Sequence, residues 1–535
     1  MRLRLKPILR LAAFGAACIP CGAQLLSGPM VGHATDTSAL IWAFAGPGKT
    51  VEVEYGPAGG TALMKLAAPP RADRNHTSLV RLAGLRAATA YRYRVLVNGV
   101  AGHEEQFTTA PQAGKPARFT YFLASCMDYS LAAYQVAWDA VLAQKRDFNL
   151  MAGDNVYANS TDYGVLWKAH MAQRGIPGFA KIIASSPTYA TWDDHDFGPN
   201  DSHGGTPGKE NSLRAFTDLW ANPSFGTGAA PGVFFSYRWA NVQYLVMDTR
   251  YNRVDETAPL TIGKTQFGKP QLEWLYQQLR DSRSPFKVIV SSYDIMSPKF
   301  PEDIRQIAKF VADNRIYGVL FHSGDIHRND FKQQDHKMGY PVSQITSSGV
   351  TRVINRPWVM IDVNTMLADP TLTARFFTQE KPDSTVTLKL SSLTPAGVGD
   401  LILNTPIGGE TLQGGAPADI QWTRIGTAID RVDIEYTLGT QWIPIAKAVP
   451  NTGSYRWSAP MTASASARVR VSGGSVPAVT VSPRAFTITG NTRVAVRARA
   501  YPNRVWRVFD IQGTRIGNLP IREGRKKALF LDPGE

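Results

Sequence analysis

Along residues 24–111 apolar and polar positions alternate in short runs: Thr37–Ala43, Thr50–Tyr55, Thr77–Leu82, Ala90–Val97 and Glu104–Thr108, punctuated by Gly and Pro. A period of two puts one face of each run on a core and the other in water, which predicts strands, and the turn spacing predicts an all-β sandwich. From about residue 112 the pattern changes. Apolar runs at Phe119–Ser125, Phe148–Ala152, Thr188–Trp192, Val242–Asp248, Phe286–Ser292 and Ile316–His322 alternate with helical periodicity over Ala132–Gln144, Leu166–Gly175 and Lys269–Arg283. Strands interleaved with amphipathic helices predict a layered α/β domain over residues 112–394. Residues 383–401 read as a last strand and then a linker. Residues 402–489 return to short β runs, among them Ile420–Arg424, Arg431–Thr437, Trp442–Ala448, Tyr455–Ala459 and Ala467–Ser472, and predict a second sandwich. Residues 490–535 form a separate basic β module, with a strand at Arg504–Phe509, a turn at Gln512-Gly513 and a final run Ala528–Leu531.

Residues 1–23 read as a secretory leader. Arg2, Arg4, Lys6 and Arg10 precede the apolar stretch Leu11–Pro20, and Cys21-Gly22-Ala23 supplies the small residues of a cleavage site. The stretch is too short to span a bilayer, and no later segment approaches the length of a span. A secreted, periplasmic or cell-surface location is expected. The 58 Lys and Arg against 43 Asp and Glu make the chain basic. Basicity suits nucleic acid, anionic lipid or phosphorylated substrates and selects none of them. No nucleic-acid-binding module sharpens it.

Cys126 is the one cysteine outside the leader, since Cys18 and Cys21 lie within it. It ends the run Tyr121–Ser125, so it is either a small buried hydrophobe or a ligand. Four more polar clusters end later strands: Gly153-Asp154-Asn155-Val156-Tyr157, Trp192-Asp193-Asp194-His195-Asp196, Asp248-Thr249-Arg250 and Gly324-Asp325-Ile326-His327. Open α/β sheets place ligand sites at the C-terminal ends of their strands. Carboxylates gathered there repel one another unless a cation lies between them. Thiolate and phenolate donors (Cys126, Tyr157) suit Fe³⁺, and carboxylate and amide oxygens suit Ca²⁺, Mg²⁺ or Mn²⁺. Such a cluster fits phosphoryl hydrolysis by attack of a metal-bound hydroxide. Arg250 would hold the phosphate as a fork of donors, and His195 would protonate the leaving group. Each residue also has a plain structural role open to it. Asp193 or Asp196 suits a helix N-cap, Tyr157 a half-buried aromatic, Arg250 a strand-end ion pair.

Residues 112–394, through Ala124-Ser125-Cys126, the Gly153–Tyr157 and Trp192–Asp196 segments, Asn200, Asp248–Arg253 and Ser323–His327, resemble the alkaline phosphatase D (PhoD-like) branch of the metallophosphoesterases. The resemblance implies a four-layer α/β/β/α sandwich and a secreted hydrolase of phosphate mono- and diesters. It implies Fe³⁺ held by Cys126, Asp154, Tyr157 and Asp325, with Ca²⁺ at a second site faced by Asp194 and Asn200. His327 completes the metal set, and Asn155 and Arg250 contact the substrate. Mg²⁺, Mn²⁺ or Zn²⁺ are the other cations considered. The segment 24–111 resembles a fibronectin-III-like domain, and 402–489 the immunoglobulin-like sandwiches appended to secreted bacterial hydrolases. Residues 490–535 look like a C-terminal sorting module that would attach the protein to a cell surface.

One segment departs from the family pattern. Ser291-Ser292-Tyr293-Asp294 stands where an amide or imidazole donor is expected after Lys287–Val290, and Asp294 is a possible substitute ligand. That departure keeps open an alternative, a non-enzymatic surface-binding or adhesion protein on a degenerate hydrolase fold. Because the clusters all fall within 112–394, the flanking sandwiches are expected to be dispensable for chemistry. Trp422, Trp442 and Trp457 are read as core aromatics or as platforms for sugars.

Overall fold

The computed structural model describes residues 25–261, 263–352, 354–473 and 478–490, together with three short strands, Arg499–Ala500, Val505–Phe509 and Arg515–Pro520. The leader, the turn at Gln512-Gly513 and the run Ala528–Leu531 lie outside the described residues.

The first strands are β1 (Ser27–Ala34), β2 (Ser38–Phe44), β3 (Val51–Pro57), β4 (Met64–Ala67), β5 (Thr77–Ala83), β6 (Ala90–Val97) and β7 (Val100–Thr108). They form two sheets, β1-β2-β5 and β4-β3-β6-β7. Alternation drives this. In β3, Val51, Val53 and Tyr55 are buried while Glu52 and Glu54 face outward.

The central strands are β8 (Arg118–Ala124), β9 (Phe148–Ala152), β10 (Thr188–Thr191), β11 (Phe235–Trp239), β12 (Val242–Val246), β13 (Lys287–Val290), β14 (Val319–Ser323), β15 (Asp330–Gln334), β16 (Val342–Thr346), β17 (Trp358–Asn364), β18 (Thr371–Thr378) and β19 (Lys381–Lys389). They make two six-stranded sheets, β10-β9-β8-β17-β18-β19 and β11-β12-β13-β14-β16-β15. In β8, Phe119, Tyr121 and Leu123 join the core between the sheets, whereas Phe122 and Ala124 join the core beneath the helices. Aromatic rings bridge the two sheets: Tyr121 meets Tyr244 at 5.5 Å, and Phe148 meets Trp239 at 4.8 Å. The helices α1 (Ala137–Leu142), α2 (Tyr163–Arg174), α3 (Pro177–Ser185) and α5 (Lys209–Leu219) cover the first sheet with Trp138, Leu166, Phe179, Ile182 and Phe216. Between the last two lies the single turn α4 (Asp194–Phe197). Helices α6 (Lys269–Asp281) and α7 (Pro301–Asp313) bring Leu272, Leu275, Leu279, Ile304, Ile307 and Val311 to the core of the second sheet. A Pro in the first turn of each sets the helical φ, and Glu302 and Asp303 suit the positive end of α7. The first predicted helix is shorter than its periodicity suggested: Tyr129–Tyr134 is a 3₁₀ turn broken at Leu131, and regular helix starts only at Ala137.

The last sheets are built from β20 (Gly399–Thr405), β21 (Thr411–Gln413), β22 (Pro417–Gly426), β23 (Arg431–Thr437), β24 (Trp442–Pro450), β25 (Ser454–Ser458), β26 (Ser464–Gly473), β27 (Val479–Val481) and β28 (Phe486–Thr489). One sheet runs β20-β22-β25 and the other β21-β28-β26-β23-β24. The molecule is thus multidomain: β sheets at each end and paired α/β sheets between them.

The first sheets are welded to the centre. Trp42 Nε1 donates to Asp218 O at 2.9 Å, Tyr93 Oη to Ala184 O at 2.8 Å, and Tyr189 Oη to Ala34 O at 3.1 Å. Met30 and Trp42 lie in the same hydrophobic cluster as Trp138 and Phe216. Gly32 approaches so closely that a Cβ there would meet Ala221 Cβ at 2.2 Å.

Candidate metal centre

Strands β8, β9 and β10 run parallel in one sheet, and β12, β13, β14 and β16 in the other. Their C-terminal ends therefore open at one edge, where the polar loops meet. Backbone bonds stitch the loops together: Cys126 N–H to Gly153 O at 3.3 Å, Met127 N–H to Asp154 O at 2.7 Å, and Gly324 N–H to Ser292 O at 3.0 Å. Gly153 and Gly324 permit the approach. A Cβ at Gly153, where φ is +94°, would meet Ser292 Cβ at 2.6 Å, and one at Gly324 would meet Ser125 Oγ at 2.5 Å. Cys126, Asp154, Asp325 and His327 take left-handed φ of 60°, 49°, 69° and 54°. A non-glycine residue costs on the order of 1–3 kcal/mol there, so these loops hold backbone strain beneath the polar groups.

Three sets of donors converge. Within each set, one candidate ligand atom per residue lies within 4.8 Å of the others: Cys126 with Asp154 and His327, Asp154 with Asp194 and His195, and Asp193 with Asp194 and Asp325. Asp154 is common to the first two. Cys126 Sγ lies 3.4 Å from Asp154 Oδ2 and 3.1 Å from Ser348 Oγ, and that hydroxyl also accepts the His327 N–H at 2.9 Å. Tyr157 Oη is 3.1 Å from His327 Nε2, and its ring stacks on His195 at 4.1 Å. The Asp201 N–H donates to Asp194 Oδ2 at 2.8 Å.

The electrostatics call for a cation. Burial, then Asp154, pushes the Cys126 thiol up. Burial and then Asp193 raise Asp154, and the same pair of causes lifts Asp325 to about 7. Burial opposes the charge on Asp194, but Arg250 holds it below the usual carboxylate range. Asp193 Oδ2 is buried without a hydrogen-bond partner among the described residues. Thiol, phenol and carboxyl groups packed this tightly keep their protons or take metal ions, and the donor set fits metal ions.

The sequence-derived residues fall in different places. Cys126, Asp154, Tyr157, Asp194, His195, Asp325 and His327 are together. Asp325 groups with Asp193 and Asp194 rather than with Cys126. Asn200 is exposed and donates to Asp201 Oδ2 at 2.6 Å, one residue from the Asp201 N–H that binds Asp194. Asn155 is buried, its Nδ2 donating to Thr191 O at 2.8 Å and Asp196 Oδ2 at 3.1 Å while its Oδ1 has no hydrogen-bond partner among the described residues, so its Nδ2 braces the loop. Arg250 is likewise buried. Its Nε is bonded to Asp193 Oδ1, Nη1 donates to Ser202 O at 3.2 Å, and Nη2 is 3.7 Å from Asp194 Oδ1. A guanidinium so enclosed positions carboxylates and is not an open phosphate fork. Asp294 is held by Lys332 at 2.5 Å and Gln344 at 2.9 Å, which leaves it no ligand role. Ser292 bonds Thr249 instead of reaching a metal.

Asp193 is the N-cap of α4, as one reading of the sequence had it, and Asp196 at the third helical position closes a capping box: its Oδ2 accepts the Asp193 N–H at 3.1 Å. Sequence reasoning missed Arg352, whose Nη2 is 2.5 Å from His327 Nε2 and 3.3 Å from Tyr157 Oη. The signal was there in Ser347-Ser348-Gly349 following a buried run. It went unread because nothing marked β16 as parallel to β14.

Residues 119–355 match the sequence model of the family described as PhoD-like phosphatase, and residues 22–114 match a domain of unknown function, DUF7800. No curated protein matches the chain. A solved structure described as that of PhoD aligns with a TM-score of 0.60 over 70% of this chain and 94% of its own, at 16% identity. Purple acid phosphatase PPD1 from yellow lupin (Lupinus luteus) seeds aligns with a TM-score of 0.50 over 68% of this chain and 74% of its own, at 14% identity. At these identities the two structures speak for the fold.

Proposed function

Since residues 119–355 are a PhoD-like phosphatase domain, we propose that the protein is a metal-dependent hydrolase of phosphate mono- and diesters. The observation that carries this reading is the sharing of Asp154 between two donor sets at one sheet edge. Cys126, Asp154, Tyr157 and His327 would hold one cation, with Fe³⁺ suited to thiolate and phenolate. Asp154, Asp194, Asp193 and Asp325 would hold a second, with Ca²⁺ suited to carboxylate oxygens. Bound cations would supply Lewis acidity toward the phosphoryl group.

The chain's own groups do the rest. Arg352, half-buried beside Tyr157 and His327, meets the non-bridging phosphoryl oxygens. Arg250 aims Asp193 and keeps Asp194 ionised. His195 gives a proton to the departing oxygen. Its Nδ1 donates to Asn159 Oδ1 at 2.5 Å and its ring rests on Tyr157, so the proton is carried by Nε2. The leader favours action outside the cytoplasm, in the periplasm or at the cell surface, and the C-terminal module favours surface attachment. The alternative, a surface-binding protein without catalysis, draws on the engagement of Ser292 by Thr249 and of Asp294 by Lys332.

Metal analysis of the purified protein, paired with hydrolysis of para-nitrophenyl phosphate and its bis-ester, tests the proposal. Metal-loaded protein that turns over neither ester would overturn it in favour of the alternative.

A further inference from the structure

The C-terminal sheets carry a cleft of about 380 Å³ lined by Tyr436, Pro444, Tyr455, Arg456, Trp457 and Ser458. It opens where two sheet edges face each other: Pro444 lies on β24, the last strand of one sheet, and residues 455–458 lie on β25, the last strand of the other. The rings of Tyr436 and Trp457 stand 5.2 Å apart at 50°, forming an apolar corner. Trp457 is 7% exposed, yet its Nε1–H has no acceptor among the described residues. Trp422 shows the contrast within the same fold: it is 1% exposed, and its Nε1 donates to Asn451 Oδ1 at 2.7 Å. An indole N–H left unpaired costs about 1–3 kcal/mol. The cleft therefore combines an aromatic corner, an unspent buried donor, and two further donors in the exposed Arg456 and Ser458.

We infer that this cleft binds a saccharide ring. A pyranose offers what the lining lacks: a C–H face for the aromatic corner and hydroxyl oxygens to accept from the indole, guanidinium and serine groups. The volume lies within the range of small-ligand sites. A peptide adding as a strand fits less well. Pro444 has no N–H to offer along the free edge, and the pairing of β24 with β23 is interrupted twice by register shifts. The site is separate from the acidic cluster, and its assignment does not rest on the phosphatase reading.

The test uses the purified full chain and intrinsic tryptophan fluorescence. It is titrated with soluble cello-oligosaccharides, chito-oligosaccharides and oligogalacturonides, and with a proline-rich peptide. The expected result is saturable binding of at least one oligosaccharide class, weakened ten-fold or more in both Arg456→Ala and Tyr455→Ala. Arg456 lies at the surface, so Arg456→Ala keeps the fold even if Tyr455→Ala does not, and thermal melts establish which variants are folded. Binding of none of the three classes at millimolar concentration overturns the inference. So does equal binding by folded Arg456→Ala, or saturable binding of the peptide alone.

Discussion

Tyr157 Oη stands 3.1 Å from His327 Nε2, joining the loop after β9 to the loop after β14 across 170 positions of sequence. One loop belongs to each of the two central sheets, so this pair closes the centre between them. If the first cation is Fe³⁺ ligated by Tyr157, phenolate-to-metal charge transfer should colour the protein. Tyr157→Phe should then keep most of the iron, through Cys126, Asp154 and His327, and lose the visible absorption. A variant with an unchanged spectrum would remove Tyr157 from the ligand set.

Asp154 belongs to two donor sets, so Asp154→Asn should strip both cations and take hydrolysis to background. The same substitution should raise the melting temperature of metal-free protein, because it deletes a buried carboxylate crowded by Asp193 and Asp194. Calorimetry after chelation separates the two effects. A lower melting temperature for the metal-free variant would contradict the electrostatic account.

Arg250 and Arg352 should part company. Arg250→Ala leaves Asp193 buried without its partner and should cost about 3–5 kcal/mol of stability. Arg352→Ala should leave the melting temperature almost unmoved and lower kcat/KM by about 10²-fold, or about 2.7 kcal/mol. Denaturation curves and steady-state kinetics on the two variants check both halves.

His195→Ala should harm alkyl phosphates more than para-nitrophenyl phosphate, whose leaving oxygen needs little protonation. Equal losses on the two substrates would assign His195 a purely structural task beside Tyr157.

Lys287 gives a pH dependence remote from the centre. Its Nζ is buried, donating to Ser284 O at 2.7 Å and Tyr317 O at 3.0 Å, and burial lowers its pKa from 10.5 to about 7. Between these values the unfolded chain holds the proton more often than the folded one, so this group's contribution to stability rises with pH across that window. Lys287→Met should flatten the rise. Melting temperatures of the two proteins from pH 7 to pH 10 measure the difference.

Most of the fold could be read in the chain because period-two alternation and apolar runs survive in the sequence. The Asp154, Asp194 and Asp325 clusters were legible because each directly follows such a run. What escaped depends on neighbours distant in sequence. Arg250 reads as a phosphate ligand until Asp193 is seen to enclose it. Arg352 reads as nothing until β16 is placed parallel to β14. Asn155 carries a family pattern, but its Nδ2 is spent on Thr191 and Asp196 and its Oδ1 alone is left unpaired. The union of the first sheets with the centre rests on a few contacts, such as Trp42 with Asp218, that leave no local mark.

Strand β8 has β9 on one side and β17 on the other, and β17 ends at Asn364. During synthesis at roughly 5–20 residues per second, β8 must wait tens of seconds or more for its second neighbour. Until then Trp358 and Met360 are not in place beside Phe122, and until the segment after β16 is made the Cys126 loop lacks Ser348. Assembly of the centre therefore comes late in the life of the nascent chain. A chain that ends before the segment following β16 already has its thiol but not the surroundings that govern it.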